Sequence, residues 1–164
     1  MPKSSNKTDG KIIMAFGTFD FFHAGHENYL KQAKELGETL IVVVARDATS
    51  KRVKNKKPEY PERRRLRDVL ACPHVDKAIL GSTEDKYKVI KKFKPDIIAL
   101  GYDQFVFTYG LEQFFIKEKL NIEITRMQPF QPETFKSSLI KQSLHQDSAT
   151  SSTCAQNSEK TTAA

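Results

Sequence analysis

The sequence predicts an α/β fold, Rossmann-like, with a five-stranded parallel sheet and helices on both faces. Three observations carry this. Five short apolar stretches recur at residues 12–16, 40–45, 75–80, 97–100 and 122–127. The first, second and fourth are apolar throughout, as strands covered on both faces are. Segments with helical spacing separate the five, and that order brings successive strands back parallel in one sheet.

The elements follow in turn. Residues 1–10 are polar and read as a flexible lead, and residues 11–144 as the folded domain. After the first strand, Tyr29, Leu30, Ala33 and Leu36 fall at helical spacing, with Gly37 as the stop. Residues 51–67 read as a basic loop, within which Pro61 opens a helix carrying Leu66, Val69 and Leu70, closed before Pro73. Ser82 and Asp85 resemble a capping box for a helix with Val89, Ile90 and Phe93, ended at Lys94-Pro95. Leu111, Phe114 and Phe115 mark another helix, and residues 137–144 a short last one. Residues 145–164 are rich in Ser, Thr, Gln, Asn and Ala and cannot offset their ordering entropy, so a disordered tail is expected.

Composition narrows the function. A length of 164 residues suits one domain, and no apolar run approaches the roughly 20 residues of a membrane span. The N-terminus lacks the apolar centre of a secretion signal, so the expectation is a cytoplasmic protein with no membrane partner. Cys72 and Cys154 have neither disulfide nor metal-site spacing and read as reduced thiols. The net charge is +7, and the segment from Lys51 to Arg67 alone holds nine basic and two acidic residues. A nucleic-acid surface spreads its charge and interleaves aromatics. One concentrated stretch instead suits a small polyanion such as a triphosphate, so no nucleic-acid partner is expected.

In an open parallel sheet ligands bind beyond the carboxyl ends of the strands, where strand order reverses. The loop after the first strand reads Gly17-Thr18-Phe19-Asp20-Phe21-Phe22-His23-Ala24-Gly25-His26. It leads into a helix whose free N–H groups attract phosphate, and His23 and His26 share one side at i, i+3 spacing. No third His, Cys or carboxylate stands at zinc spacing, so phosphate binding is preferred and no protein-held metal is expected.

The GTFDxxHxGH segment resembles the signature of the cytidylyltransferase-like nucleotidyltransferases, and the likeness extends over residues 11–144. VVVARDATSKRVKNKKP, VDKAILGS and KPDIIALGYDQ are similar to segments of archaeal-type FAD synthases. The Gly-Tyr-Asp-Gln form at residues 101–104 favours that subgroup over the glycerol-3-phosphate cytidylyltransferases. The resemblance implies transfer of AMP from ATP to FMN, with Mg2+ or another divalent cation accompanying the triphosphate. Transfer from CTP or ATP to glycerol 3-phosphate or a sugar phosphate is the alternative, and a nucleotide-binding sensor the non-enzymatic one. It implies that His23, His26, Lys54 and Arg65 are catalytic, Arg65 being chosen among Arg63, Arg64 and Arg65 by its distance from Val75. It implies that Gly17, Thr18, Phe19, Ala24, Gly25, Asp103, Ser137 and Ser138 bind the nucleotide. Three features depart from the family's last motif: Lys136 replaces a hydroxyl residue, Leu139 replaces a lysine, and Gln131 stands where cytidylyltransferases carry arginine. Phe105, Phe107 and Tyr109 are open between stacking on a ring and core packing. Oligomeric state is open between monomer and homodimer.

Overall fold

The computed structural model describes residues 10–129 except Lys86 and Asp103, with only the backbone of residues 105–108. The expectations for Asp103, Ser137, Ser138, Cys154, the last helix, the lead and the tail lie outside the described residues.

Strands β1 (Ile12–Gly17), β2 (Thr39–Val44), β3 (Lys77–Leu80), β4 (Ile97–Leu100) and β5 (Glu123–Arg126) form one parallel sheet in the order β3-β2-β1-β4-β5. The chain builds outward from β1 to β3, then returns to lay β4 against the other side of β1. Strand order therefore reverses between β1 and β4, whose register pairs Ile13 with Ile97 and Ala15 with Ala99.

The pleat sends alternate residues of each strand to opposite faces. Ile13 and Ala15 join Leu30 and Ala33 of α1 (Ala24–Lys34) and Val69 of α3 (Glu62–Leu70) in one core layer. Met14 and Phe16 join Val89 and Ile90 of α4 (Lys88–Phe93) and Leu111, Phe114 and Phe115 of α5 (Phe105–Glu118) in the other. Helices thus cover both faces, as expected. No helix among the described residues is long and apolar enough to cross a membrane.

Three readings of local structure are corrected. Residues 47–54 are not loop but helix α2 (Asp47–Lys54). Its lone large apolar residue, Val53, is 70% exposed, so no hydrophobic period announces the helix. Glu62 holds its start instead, accepting from Asp47 N–H and Arg46 Nε at 2.9 Å each. The N–H of Asp47 keeps the Glu62 carboxyl below its usual range. Ser82 does accept from the N–H of Asp85 (3.2 Å), but α4 begins later, at Lys88 with Tyr87 as N-cap, so Ser82 caps a bend and not the helix. Gly37 is not a left-handed stop: a Cβ there would lie 2.7 Å from the carbonyl of Lys11, so glycine is required by close approach.

Candidate active site

The first loop leaves β1 at Gly17, where a Cβ would meet the Phe19 ring at 2.8 Å. Phe19 is 3% exposed and takes φ 54, and Phe21 takes φ 51. Bulky residues rarely adopt that conformation, which costs on the order of 1–2 kcal/mol each. The loop is tied down at several points. Asp20, 5% exposed, accepts from the N–H groups of Glu59 and Tyr60 at 3.0 and 3.1 Å. Thr18 Oγ1 lies 3.3 Å from the hydroxyl of buried Ser50 on α2.

His23 is the N-cap of α1, and its Nδ1 accepts from the N–H of Gly25 (3.1 Å). In the neutral ring the proton therefore sits on Nε2. The His23 and His26 rings stack at 3.9 Å between centroids, and the edge of His26 meets Phe19 at 5.4 Å. Burial lowers the pKa of His23. Burial, followed by the charges of His23 and Lys54, pushes His26 down to about 3 against the pull of Asp20. At neutral pH His26 is an uncharged ring. Its Nδ1 is buried and has no hydrogen-bond partner among the described residues.

Lys54 stands exposed in the last turn of α2, near enough for its charge to act on His26. Lys56 and Lys57 exert no such effect. Lys54→Ala should lower kcat/KM about 10- to 100-fold, and Lys56→Ala or Lys57→Ala about twofold or less, in steady-state rates at fixed ionic strength. Equal, mild effects at all three positions would make the basic segment a screened surface.

Arg65 is corrected. It is 0% exposed, and its guanidinium is committed to the protein: Nε donates to Tyr60 O (2.9 Å), Nη1 to Thr18 O (2.6 Å), and Nη2 to Asp47 Oδ1 (2.7 Å). A cation so engaged has no face to offer a phosphate. It joins the first loop, α2 and the segment before α3, and so sets where His23 and Lys54 stand relative to each other.

Beyond β4, Gln104 spans the reversal point: its Oε1 accepts from Gly101 N–H (2.9 Å) and its Nε2 donates to Phe16 O (2.8 Å). Arg126, at the end of β5, donates to Gly101 O (2.9 Å), and the Tyr29 hydroxyl to Ala99 O (2.7 Å). Sequence reasoning passed over Asp20, Gln104 and Arg126 as site builders. Asp20 and Gln104 had a signal, since both lie inside the motifs quoted above; Arg126 had none. Tyr109 is 71% exposed, which removes it from the core. Among the described residues no group of three or more His, Cys, Asp or Glu side chains is arranged to hold a metal ion.

This loop, stacked histidine pair and helix N-terminus at the β1/β4 reversal belong to a known pattern. The cytidylyltransferase-like family model matches residues 14–143. A FAD synthase of Archaeoglobus profundus is 49% identical over 116 residues, covering 70% of this chain and 73% of that one. A FAD synthase of Ferroglobus placidus is 48% identical over 118 residues, covering 71% and 76%. The crystal structure of a lipopolysaccharide core biosynthesis protein from Thermoplasma volcanium superposes with a TM-score of 0.69 at 42% identity, over 73% of this chain and 98% of that one. The chain belongs to the cytidylyltransferase-like family and, within it, groups with the FAD synthases.

Proposed function

We propose that the protein is an FMN adenylyltransferase: it transfers AMP from ATP to FMN, giving FAD and pyrophosphate. The observation that carries this is the stacked His23–His26 pair at the N-terminus of α1, with the charge of Lys54 acting on His26, in a chain whose relatives are FAD synthases. A phosphate oxygen of FMN forms a bond to the α-phosphorus of ATP. The bond from that phosphorus to the oxygen bridging toward the β-phosphate breaks, and pyrophosphate departs with its electron pair.

No protein nucleophile is needed, because the acceptor is already an anion. The chain's task is alignment and stabilisation of charge that grows at the α-phosphate. The first N–H groups of α1 and the Nε2–H of His23 donate to phosphate oxygens. His26, kept uncharged, gives a directed hydrogen bond without repelling His23 or Lys54. Lys54 supplies a point charge toward the leaving pyrophosphate. Arg65 holds the two supports in register.

Magnesium enters as part of the nucleotide substrate. Its charge would offset that of the phosphates as pyrophosphate leaves. A panel of ATP and CTP with FMN, glycerol 3-phosphate and heptose 1-phosphate, read by pyrophosphate release, tests the assignment. ATP with FMN should exceed every other pair by tenfold or more. Faster release from CTP with glycerol 3-phosphate would move the protein to the polyol branch of the family.

A further inference from the structure

A pocket of about 480 Å³ opens beside the first loop, lined by Phe21, Phe22, Tyr60, Arg64, Asp68 and Ala71. We infer that it receives the isoalloxazine ring of the acceptor, an inference that rests on the FMN reading above. Its volume lies within the range of small-molecule sites, about 300–1,000 Å³.

Phe21 gives the first reason. Its backbone sits at φ 51, where a bulky side chain is strained and glycine or asparagine would be at ease. The ring is only half-buried, so core packing does not account for a phenylalanine there. The strain places the ring against Tyr60, at 4.6 Å between centroids and 49° between planes. A tilted pair of this kind can pack against a third flat ring.

The polar groups give the second. Arg64 and Asp68 stand one turn apart on α3, Arg64 exposed and Asp68 half-buried, and neither side chain has a hydrogen bond or ion pair among the described residues. The Arg64 guanidinium lies over the Tyr60 ring at 3.7 Å, at the pocket's edge. The pyrimidine edge of a flavin presents two carbonyl acceptors on either side of an N–H donor. A guanidinium and a carboxylate on one wall match that edge, while Phe21, Phe22, Tyr60 and Ala71 suit the apolar remainder.

Position gives the third. Phe21 and Phe22 run directly into His23, and Asp20 clamps the backbone of Tyr60 to the same loop. A ring in this pocket would therefore lie along the first loop from His23, on the same stretch of chain that presents the imidazole. The pocket lies on the α3 side of β1, away from the β1/β4 reversal that Gln104 spans.

The test uses flavin fluorescence and steady-state rates on the full chain. A phenol stacked on an excited flavin quenches it by electron transfer, and a phenyl ring does so poorly. FMN bound to the wild-type protein, counted by equilibrium dialysis, should be strongly quenched, and Tyr60→Phe should cut the quenching per bound flavin severalfold. Phe21→Gly removes the ring and relieves the backbone, so its Tm should not fall. It should raise KM for FMN tenfold or more with KM for ATP within twofold of wild type. A rise in KM for ATP instead would put adenine in the pocket and overturn the inference. So would FAD formation at unchanged KM for FMN in folded Phe21→Gly, which leaves the FMN reading standing. Tyr60-dependent quenching of FMN without FAD formation would sink the FMN reading and leave the ring site in place.

Discussion

Replacing His23 or His26 with Ala should lower kcat about 100- to 1,000-fold, the usual loss when one preorganised donor to a developing oxyanion is removed. The thermal midpoint should fall by a few degrees at most, the cost of the lost cap bond at His23, because neither residue belongs to the two core layers. His26 adds a pH signature. Its folded pKa of about 3 lies below the ordinary value of 6.5, so between those values the unfolded chain binds a proton that the folded chain refuses. Stability from this residue is complete above about pH 6.5 and is lost as pH falls toward 3. His26→Asn lacks that loss, so on acidification from about pH 7 to about pH 5 its Tm should fall less than that of the wild type. Identical acid profiles would mean that the folded protein protonates His26, and a large stability loss with normal activity in the folded fraction would make the pair structural.

Arg65→Ala should damage stability and turnover together. It leaves the carboxylate of Asp47 and the carbonyls of Thr18 and Tyr60 without their donor and empties a fully buried site. Removing one partner of such a buried arrangement costs on the order of 3 kcal/mol or more, a fall in Tm of roughly 10 °C for a domain of this size. Arg65→Lys keeps the charge but cannot reach three acceptors at once, so it should fall between, with lowered kcat and little change in KM for ATP. A phosphate ligand would behave otherwise: Arg65→Lys would then preserve Tm and raise KM for the nucleotide.

The central strands were legible because burial on both faces leaves no polar position in them. Residues 97–100 agree with β4, and residues 12–16 and 40–45 with β1 and β2 to within one residue at each end. The edge strands were read too long, since β3 starts at Lys77 and β5 at Glu123, each paired with a strand on one side only among the described residues. Helix α2 was not legible: it is fastened by Glu62, which is distant in sequence, and not by an apolar stripe. The same distance explains the site. His23, His26 and Gly17 announce themselves within one ten-residue motif. Arg65 shows its charge in the sequence but not its burial, which depends on Thr18 and Asp47 folding over it. Gln104 reaches an acceptor 88 residues away, so its role as a staple exists only once β4 lies beside β1.

The central claim is that the bond broken lies between the α- and β-phosphates of ATP and that the bond made joins AMP to the phosphate of FMN. Incubation with FMN and magnesium, using ATP labelled at either the α- or the γ-phosphate, tests it directly. α-Label should appear in FAD and γ-label in pyrophosphate, in equal amounts, with both slowed about 100- to 1,000-fold in the His23→Ala protein. Transfer of γ-label to the flavin, or release of labelled AMP without FAD, would contradict it.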